Sequence, residues 1–290
     1  MAYSANLTAH RADLYGKHGT FSYADQNIAP ILSLLDLKPG EQILDIGCGD
    51  GHLTDRLAQV AGPDGLVIGT DSNADMLAKA NTFPSLAGKV FQADAQDVTF
   101  PAGAKYEHSS DAVFTNATLH WCKRDPAGVL QSVKRALKRT RQETTHGGLP
   151  RFVGEFGGFL NVTGVRSHLH HVMRERGIDP VPLDPWYFPS DNEYRELLEA
   201  NGFKVEHISL NPRITHLKTD LYGWLETFAR HSFLSDYSDE EAKEILMEVV
   251  KKSELDSRTM SDIGKPFENS QGQWSVMYVR LRFVATIEQE

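Results

Sequence analysis

The segment ILDIGCGDGHLTDRLA, residues 43–58, alternates Gly47, Gly49 and Gly51 with Cys48 and Asp50, and Asp45 stands just ahead of them. An apolar run leads into this turn and a helical pattern leaves it. A backbone so bare lets a ligand approach closely, while the following helix offers its amino end to negative charge. Alone, the turn suits a nucleotide, a dinucleotide, a phosphate or tight packing. The dinucleotide fingerprint G-x-G-x-x-G is not met, because the third glycine comes one position early and His52 stands in its place. No G-x-x-x-x-G-K-[ST] pattern occurs, so a phosphate-cradling loop has no support. Asp71 ends a second apolar run about twenty residues on, where a carboxylate can accept from both ribose hydroxyls. Asp94 ends a third run and is placed to meet the exocyclic amine of a base.

These residues need elements to hold them. Ile28, Ile31, Leu32 and Leu35 repeat at helical spacing ahead of the turn-like Pro39-Gly40. QILDIG, GLVIGTD, KVFQADA, DAVFTN and RFVGEFGG read as five strands, and helical patterns such as GHLTDRLAQVA, ADMLAKAN and DPAGVLQSVKRALK fall between them. That alternation predicts a parallel sheet covered on both faces, doubly wound by the handedness of its crossovers. After residue 158 the rhythm changes. TGVRSHLHHVMRER, DNEYRELLEANGF, LKTDLYGWLETFAR and SDEEAKEILMEVVKK read as helices, KVEHISL as a strand and QWSVMYVRLRFVATI as a long β-rich run. The whole is expected to be α/β: a Rossmann-like, mostly parallel seven-stranded sheet with helical cap insertions in the C-terminal half. It is read as one domain over 1–290. Residues 1–158 form a lid and cofactor core, 159–272 carry cap insertions around a strand, and 273–290 hold the last strand. RTRQETTHGGLP, residues 139–150, is expected to be a polar loop in solvent.

The ordered set LDIGCGDG, GTDSNADM, FQADA and DAVFTNATLHW resembles the class I S-adenosylmethionine-dependent methyltransferases over roughly the first 160 residues. Beyond it, NATLHW, EYRELLEANGF and GWLETFARHSFLSDYSDEE are most similar to the trans-aconitate 2-methyltransferase-like branch. The resemblance implies S-adenosyl-L-methionine as cofactor. It implies Asp45 near the methionine ammonium, with Gly47, Cys48 and Gly49 bringing backbone against it. Asp71 would hold the ribose, Ser72 and Met76 would border the adenine, and Asp94 with the amide of Ala95 would read the adenine edge. Asn116 would offer its carbonyl to the methionine end. The loop before the fifth strand departs from the family's short Pro-Gly-Gly turn, being about nine residues longer.

Methyl transfer from a sulfonium is an in-line displacement, for which the protein mainly supplies alignment and exclusion of water. A base is needed only where the nucleophile must lose a proton. His120, after the fourth strand, is the candidate base or acceptor-orienting group, and Trp121 is a candidate pocket wall. Tyr15 and His18 resemble a segment that folds over the cofactor in related enzymes. Trp186 in DPWYFPS and Arg213 in NPRIT are further acceptor candidates, and Arg280 and Arg282 are expected to face solvent or an acidic neighbour. His168, His170 and His171 lack a carboxylate at metal-ligand spacing, so no metal is expected.

Bulk properties narrow the classes. The 290 residues are 40% hydrophobic and 24% charged, an ordinary globular composition. A net charge of -9 disfavours a nucleic-acid partner. The Asn/Asp-Pro-Pro-Tyr/Phe segment of amino-modifying nucleic-acid enzymes is absent after the fourth strand. No run approaches the roughly 20 apolar residues of a membrane span. Two distant cysteines and an N-terminus without a signal-like apolar stretch suit a cytoplasmic protein. The reading is therefore a methyltransferase acting on a small molecule, at oxygen, with a carboxylic acid suggested by the branch. A protein methyltransferase is one rival. A fold that binds the cofactor without methyl transfer, as a binding module or cyclising catalyst, is another. An NAD-dependent oxidoreductase ranks last.

Overall fold

The computed structural model describes residues 25–100, 106–259 and 273–287. Seven strands form one sheet in the order β3-β2-β1-β4-β5-β7-β6. They are β1 (Gln42–Ile46), β2 (Leu66–Asp71), β3 (Val90–Gln92), β4 (Ala112–Asn116), β5 (Arg151–Gly157), β6 (Lys204–His216) and β7 (Ser275–Thr286). β1 runs parallel to β2 and β4, β2 to β3, and β4 to β5, whereas β7 is antiparallel to β5. The order reverses between β1 and β4, and ligands of open α/β sheets bind beyond the carboxyl ends of strands at such a switch.

The two faces are covered by different helices. On one, α1 (Asp25–Leu35) and α2 (His52–Ala61) set Ile28, Ile31, Leu53 and Leu57 against Ile43, Phe114 and Val153. On the other, α4 (Pro126–Ala136) and α6 (Asp191–Ala200) set Val129, Val133, Tyr194 and Leu198 against Leu44, Val113, Phe152 and Phe283. Each fully buried side chain of this kind contributes about 1.5–3 kcal/mol. The expected α/β doubly wound sheet is therefore observed, with α3 (Ala74–Ala80) between β2 and β3.

Among the described residues, those of Leu160–Trp186 and Pro212–Val279 group into one compact unit and the rest into another. Within the first, α5 (Thr163–Glu175) and α7 (Leu221–Phe228) both pack against α8 (Asp239–Thr259). Asp184 pins the proline-rich segment to α5 by accepting from Arg166 Nε at 2.5 Å and lying 2.8 Å from His170 Nε2.

Some local expectations change. β3 is shorter than KVFQADA, because Asp94 caps a 3-10 turn, Ala95–Asp97, by accepting from Gln96 N. β6 is longer than KVEHISL and takes in Arg213. The loop 139–150 is tied down rather than wandering. Asp111 accepts from Lys138 Nζ at 2.9 Å, from Thr145 N at 2.6 Å and from Thr145 Oγ1 at 2.9 Å.

Candidate active site

All three glycines of the β1–α2 turn adopt positive φ: +77° at Gly47, +55° at Gly49 and +87° at Gly51. A side chain there would cost about 1–2 kcal/mol in conformation alone. Space forbids it as well. A methyl at Gly47 would overlap the Thr118 side chain, and one at Gly51 would lie 2.8 Å from Ala80 Cα. The turn's amides are spent internally. Gly47 N and Cys48 N donate to Thr70 O at 2.7 and 2.9 Å, Gly49 N to Asp71 Oδ2 at 2.9 Å, and Gly51 N to Cys48 O at 3.1 Å. A phosphate cradle needs such donors aimed at the ligand. This turn offers close approach without an anion nest, which fits a cationic nucleoside better than a pyrophosphate.

Three carboxylates stand at successive strand ends. Asp45 on β1 is buried and accepts from Thr54 Oγ1 at 2.7 Å. Burial raises its pKa to about 7, Thr54 works against the rise, and Asp71 adds to it. Asp71 ends β2 and accepts from Gly49 N and Asn73 N, so it stitches the glycine turn to the next loop. Its carboxyl is raised too, chiefly by burial. Asp94 follows β3. Its Oδ1 accepts from Gln96 N, and Arg124 lies 2.5 Å from Oδ2. Hydrogen bonds from Gln96 and Arg124 overcome its desolvation and hold this carboxyl below its usual value. Ser72 and Met76 flank the α3 cap, where Asn73 Oδ1 accepts from Met76 N at 3.1 Å. Met76 is buried, and Ala95 opens the 3-10 turn. Cys48 is buried, and its thiol is pushed well up by that burial with Asp45 and Asp71 adding, which keeps it a neutral packing group.

Beyond β4, the chain turns sharply at Ala117, whose φ is +57°. Its amide donates to Glu155 O at 2.7 Å. The bend takes the chain from Asn116 into a 3-10 turn, Leu119–Trp121, that carries His120 and Trp121. Thr118 Oγ1 reaches Gly47 O at 3.3 Å, so this turn touches the glycine turn directly. His120 is buried, with its ring 5.1 Å from Trp121 and 6.0 Å from Phe188. Its Nδ1 accepts from Gly157 N at 3.4 Å, since a backbone amide can only donate.

The sequence-predicted cofactor residues thus gather at the carboxyl ends of β1 to β4. The acceptor candidates fall in different units. Tyr15 and His18 lie outside the described residues. Trp186 is buried against Phe233 in the unit of Leu160–Trp186 and Pro212–Val279, with ring centroids 6.2 Å apart, and Arg213 is half-buried on β6 in that unit. Among the described residues, no group of three or more His, Cys, Asp or Glu could hold a metal ion. No described helix is long and apolar enough to cross a membrane.

Three groups were not singled out from the sequence. Thr54 orients Asp45 from one turn into α2, and Arg124 reaches back to Asp94. Glu155 is buried on β5 against Arg282 at 2.5 Å. Arg280 and Arg282 face not solvent but the acidic neighbour that the expectation also allowed, Glu155, and Arg280 is buried. The alternation of RLR in β7 was the one local signal for that pair.

A switch-point sheet with carboxylates at the ends of β1, β2 and β3 defines a nucleoside-binding α/β enzyme. Comparison with known proteins specifies the class. Residues 43–140 match the family model of a methyltransferase domain. The chain is 32% identical over 275 residues to an uncharacterised methyltransferase of Schizosaccharomyces pombe, covering 91% of this chain and 93% of that one. It is 26% identical over 237 residues to a trans-aconitate 2-methyltransferase of Delftia acidovorans, covering 73% of this chain and 82% of that one. The YcgJ protein of Bacillus subtilis shares the fold with a TM-score of 0.55 at 17% identity, over 92% of this chain and 100% of its own. The chain belongs to the class I S-adenosylmethionine-dependent methyltransferases, and S-adenosyl-L-methionine is its methyl donor.

Proposed function

We propose that this enzyme methylates a small-molecule carboxylic acid at oxygen. The observation that carries the proposal is the state of His120. With Nδ1 3.4 Å from the Gly157 amide, that nitrogen is taken up by the main chain and is not available to remove a proton. A carboxylate is the acceptor that needs no deprotonation. The similarity to the trans-aconitate 2-methyltransferase of Delftia acidovorans favours the same class. The net charge of -9 speaks against a nucleic-acid substrate.

When bound, the cofactor supplies a methyl group on a positively charged sulfur. Asp45 would balance the methionine ammonium, and Gly47, Cys48 and Gly49 would give the backbone surface it lies on. Asp71 would accept from the ribose hydroxyls, with Ser72 and Met76 bordering the base. Asp94 and the Ala95 amide would read the adenine edge, and Asn116 would offer its carbonyl to the methionine end. His120 would help to orient the acceptor carboxylate along the line of displacement. Trp121, Trp186, Arg213, Tyr15 and His18 are the acceptor-side candidates. On this reading the chain is one catalytic domain, with helical cap insertions around a sheet strand in 159–272.

The test begins with calorimetry of S-adenosylhomocysteine on the wild type and on Asp71→Ala. Loss of charge-assisted hydrogen bonds is expected to weaken binding by about 2–3 kcal/mol. An acceptor screen, acids first, then follows methyl-ester formation and stoichiometric S-adenosylhomocysteine release. Turnover on amines, phenols or a protein, with none on acids, overturns the acid. Cofactor binding with no release on any acceptor would favour the binding or cyclising alternative.

A further inference from the structure

Helix α8 (Asp239–Thr259) carries two stripes, and its own unit covers only one of them. Ala242, Ile245, Leu246, Val249 and Ser253 are buried, at the spacing of one helix face. Lys243, Met247, Val250 and Glu254 form the other stripe, at intervals of four, three and four residues, which is the seam spacing of paired helices. At about 100° per residue these four lie within about 60° of one another, and the two stripes are centred about 120° apart. Met247 is 56% exposed. With Tyr222 of α7, the outer stripe lines an open groove of ≈ 660 Å³.

The charges on this face are unspent. Glu248 and Lys252 are taken up within the unit, by Arg176 at 2.9 Å and Glu175 at 2.8 Å. Lys243, Glu244, Lys251 and Glu254 are exposed and make no ion pair among the described residues. Their order matches the same stripe run backwards. Two copies laid antiparallel about a two-fold axis bring residue i of one against j of the other, and j against i. The register that sets Met247 opposite Val250 of the second copy also sets Lys243 opposite Glu254, and every contact occurs twice. On the open flank it brings Glu244 nearest to Lys251 of the second copy. A parallel pair would instead set Lys243 against lysine and Glu254 against glutamate.

We infer that the outer stripe of α8 is the interface of a homodimer, in which the helix pairs antiparallel with α8 of a second copy of this chain. Burial of Met247 and Val250 in both copies supplies the attraction, and the charges choose direction and register. The seam from Lys243 to Glu254 is about 16 Å long and one helix wide, well below a standard interface of about 800 Å² per partner. The dimer is therefore expected to be reversible, with a Kd on the order of tens of micromolar. The inference is independent of the acceptor, because none of these side chains belongs to the proposed cofactor or acceptor groups.

The test is sedimentation equilibrium of the full chain, from about tenfold below to about tenfold above that concentration. A reversible monomer–dimer equilibrium is expected. Met247→Lys should weaken it by about tenfold or more, since it puts like charges at the centre of the seam. Lys243→Glu should weaken it by about tenfold, because one substitution turns two attractions into two repulsions. Adding Glu254→Lys exchanges the pair and should return the Kd to within about twofold of the wild type. Melting curves check folding, and if Met247→Lys does not fold, Lys243→Glu and the double exchange give the reading. A wild type that stays monomeric throughout overturns the inference and leaves the groove to another protein or to another segment of this chain. A dimer unchanged by Met247→Lys and Lys243→Glu uses a different face and overturns it as well. Loss in the single variants without rescue in the double exchange overturns the antiparallel pairing.

Discussion

The carboxyl ends of β1 and β2 are built mainly from backbone, whereas those of β4 and β5 are built from side chains. At β1 and β2, three positive-φ glycines and four internally bonded amides fix a surface before any ligand arrives. At β4 and β5, His120, Glu155, Arg282 and Arg280 supply the polar side chains, and their placement depends on pairing between distant strands. The first construction tolerates little change, because a main-chain shape has few solutions. The second can be re-tuned one side chain at a time. That division suits an enzyme class with one methyl donor and many acceptors.

The sharpest break of this contrast is Gly47→Ala. The added methyl meets both the Thr118 overlap and a φ of +77°, and the expected loss of stability is about 2–5 kcal/mol. Gly88 provides the control, since its φ is +71° but nothing lies within 4 Å of an added Cβ. Gly88→Ala should cost only the conformational part, about 1–2 kcal/mol. Thermal melts of both variants separate overlap from strain. Equal losses would show that the Gly47–Thr118 contact yields, and that the glycine turn is less rigid than argued.

Asp45 comes next, and its effect has a sign. Its carboxyl is raised to about 7 by burial, so the protonated form is favoured in the folded apoprotein. The stability this gives is fully present below the unfolded value near 4 and is lost as pH rises through about 7. Relative to Asp45→Asn, the apoprotein should lose up to about 4 kcal/mol across that window. Asp71 adds to the rise at Asp45, the Cys48 thiol beside both carboxylates stays neutral, and Thr54 is the neighbour that favours the ionised form. A cationic ligand reverses the preference, because an ammonium beside Asp45 favours the carboxylate. S-adenosylhomocysteine affinity should therefore rise with pH through about 7 in the wild type, and Thr54→Val should move the midpoint upward. Parallel pH slopes for the wild type and Asp45→Asn would remove Asp45 from the ligand's charge balance.

The same contrast explains what the sequence could show. Gly47, Gly49, Gly51, Asp71 and Asp94 announce themselves because each is needed by a turn within a few residues of itself. The sheet was legible for a like reason, since apolar runs alternate with helical stripes. Glu155 and Arg282 are 127 positions apart, and nothing local to either predicts that β7 will lie antiparallel to β5. The loop 139–150 reads as solvent-borne from its polar composition, yet Asp111, 34 positions before Thr145, collects its hydrogen bonds. β3 stopped short because Asp94 serves as a cap, a use of the carboxylate that competes with strand continuation.

Arg124→Ala is the smallest effect and the one that tests whether the two regions are independent. Arg124 follows the His120–Trp121 turn but reaches back to Asp94 at the proposed adenine end. The pair is open to water, with side chains 60% and 40% exposed, so it contributes at most about 1 kcal/mol and is screened by salt. Asp94 also keeps its bonds from Gln96 N and Nε2 when the arginine is gone. The connection between the two loops survives as well, through Asp125 N donating to Gln96 Oε1 at 2.7 Å. Loss of Arg124 should therefore weaken S-adenosylhomocysteine binding by about two- to fivefold at low ionic strength and by little in high salt. A larger, salt-resistant loss would mean that Arg124 itself meets the base. Cofactor recognition would then use a side chain carried by the acceptor turn, and the separation into a backbone-built and a side-chain-built half would fail at that residue.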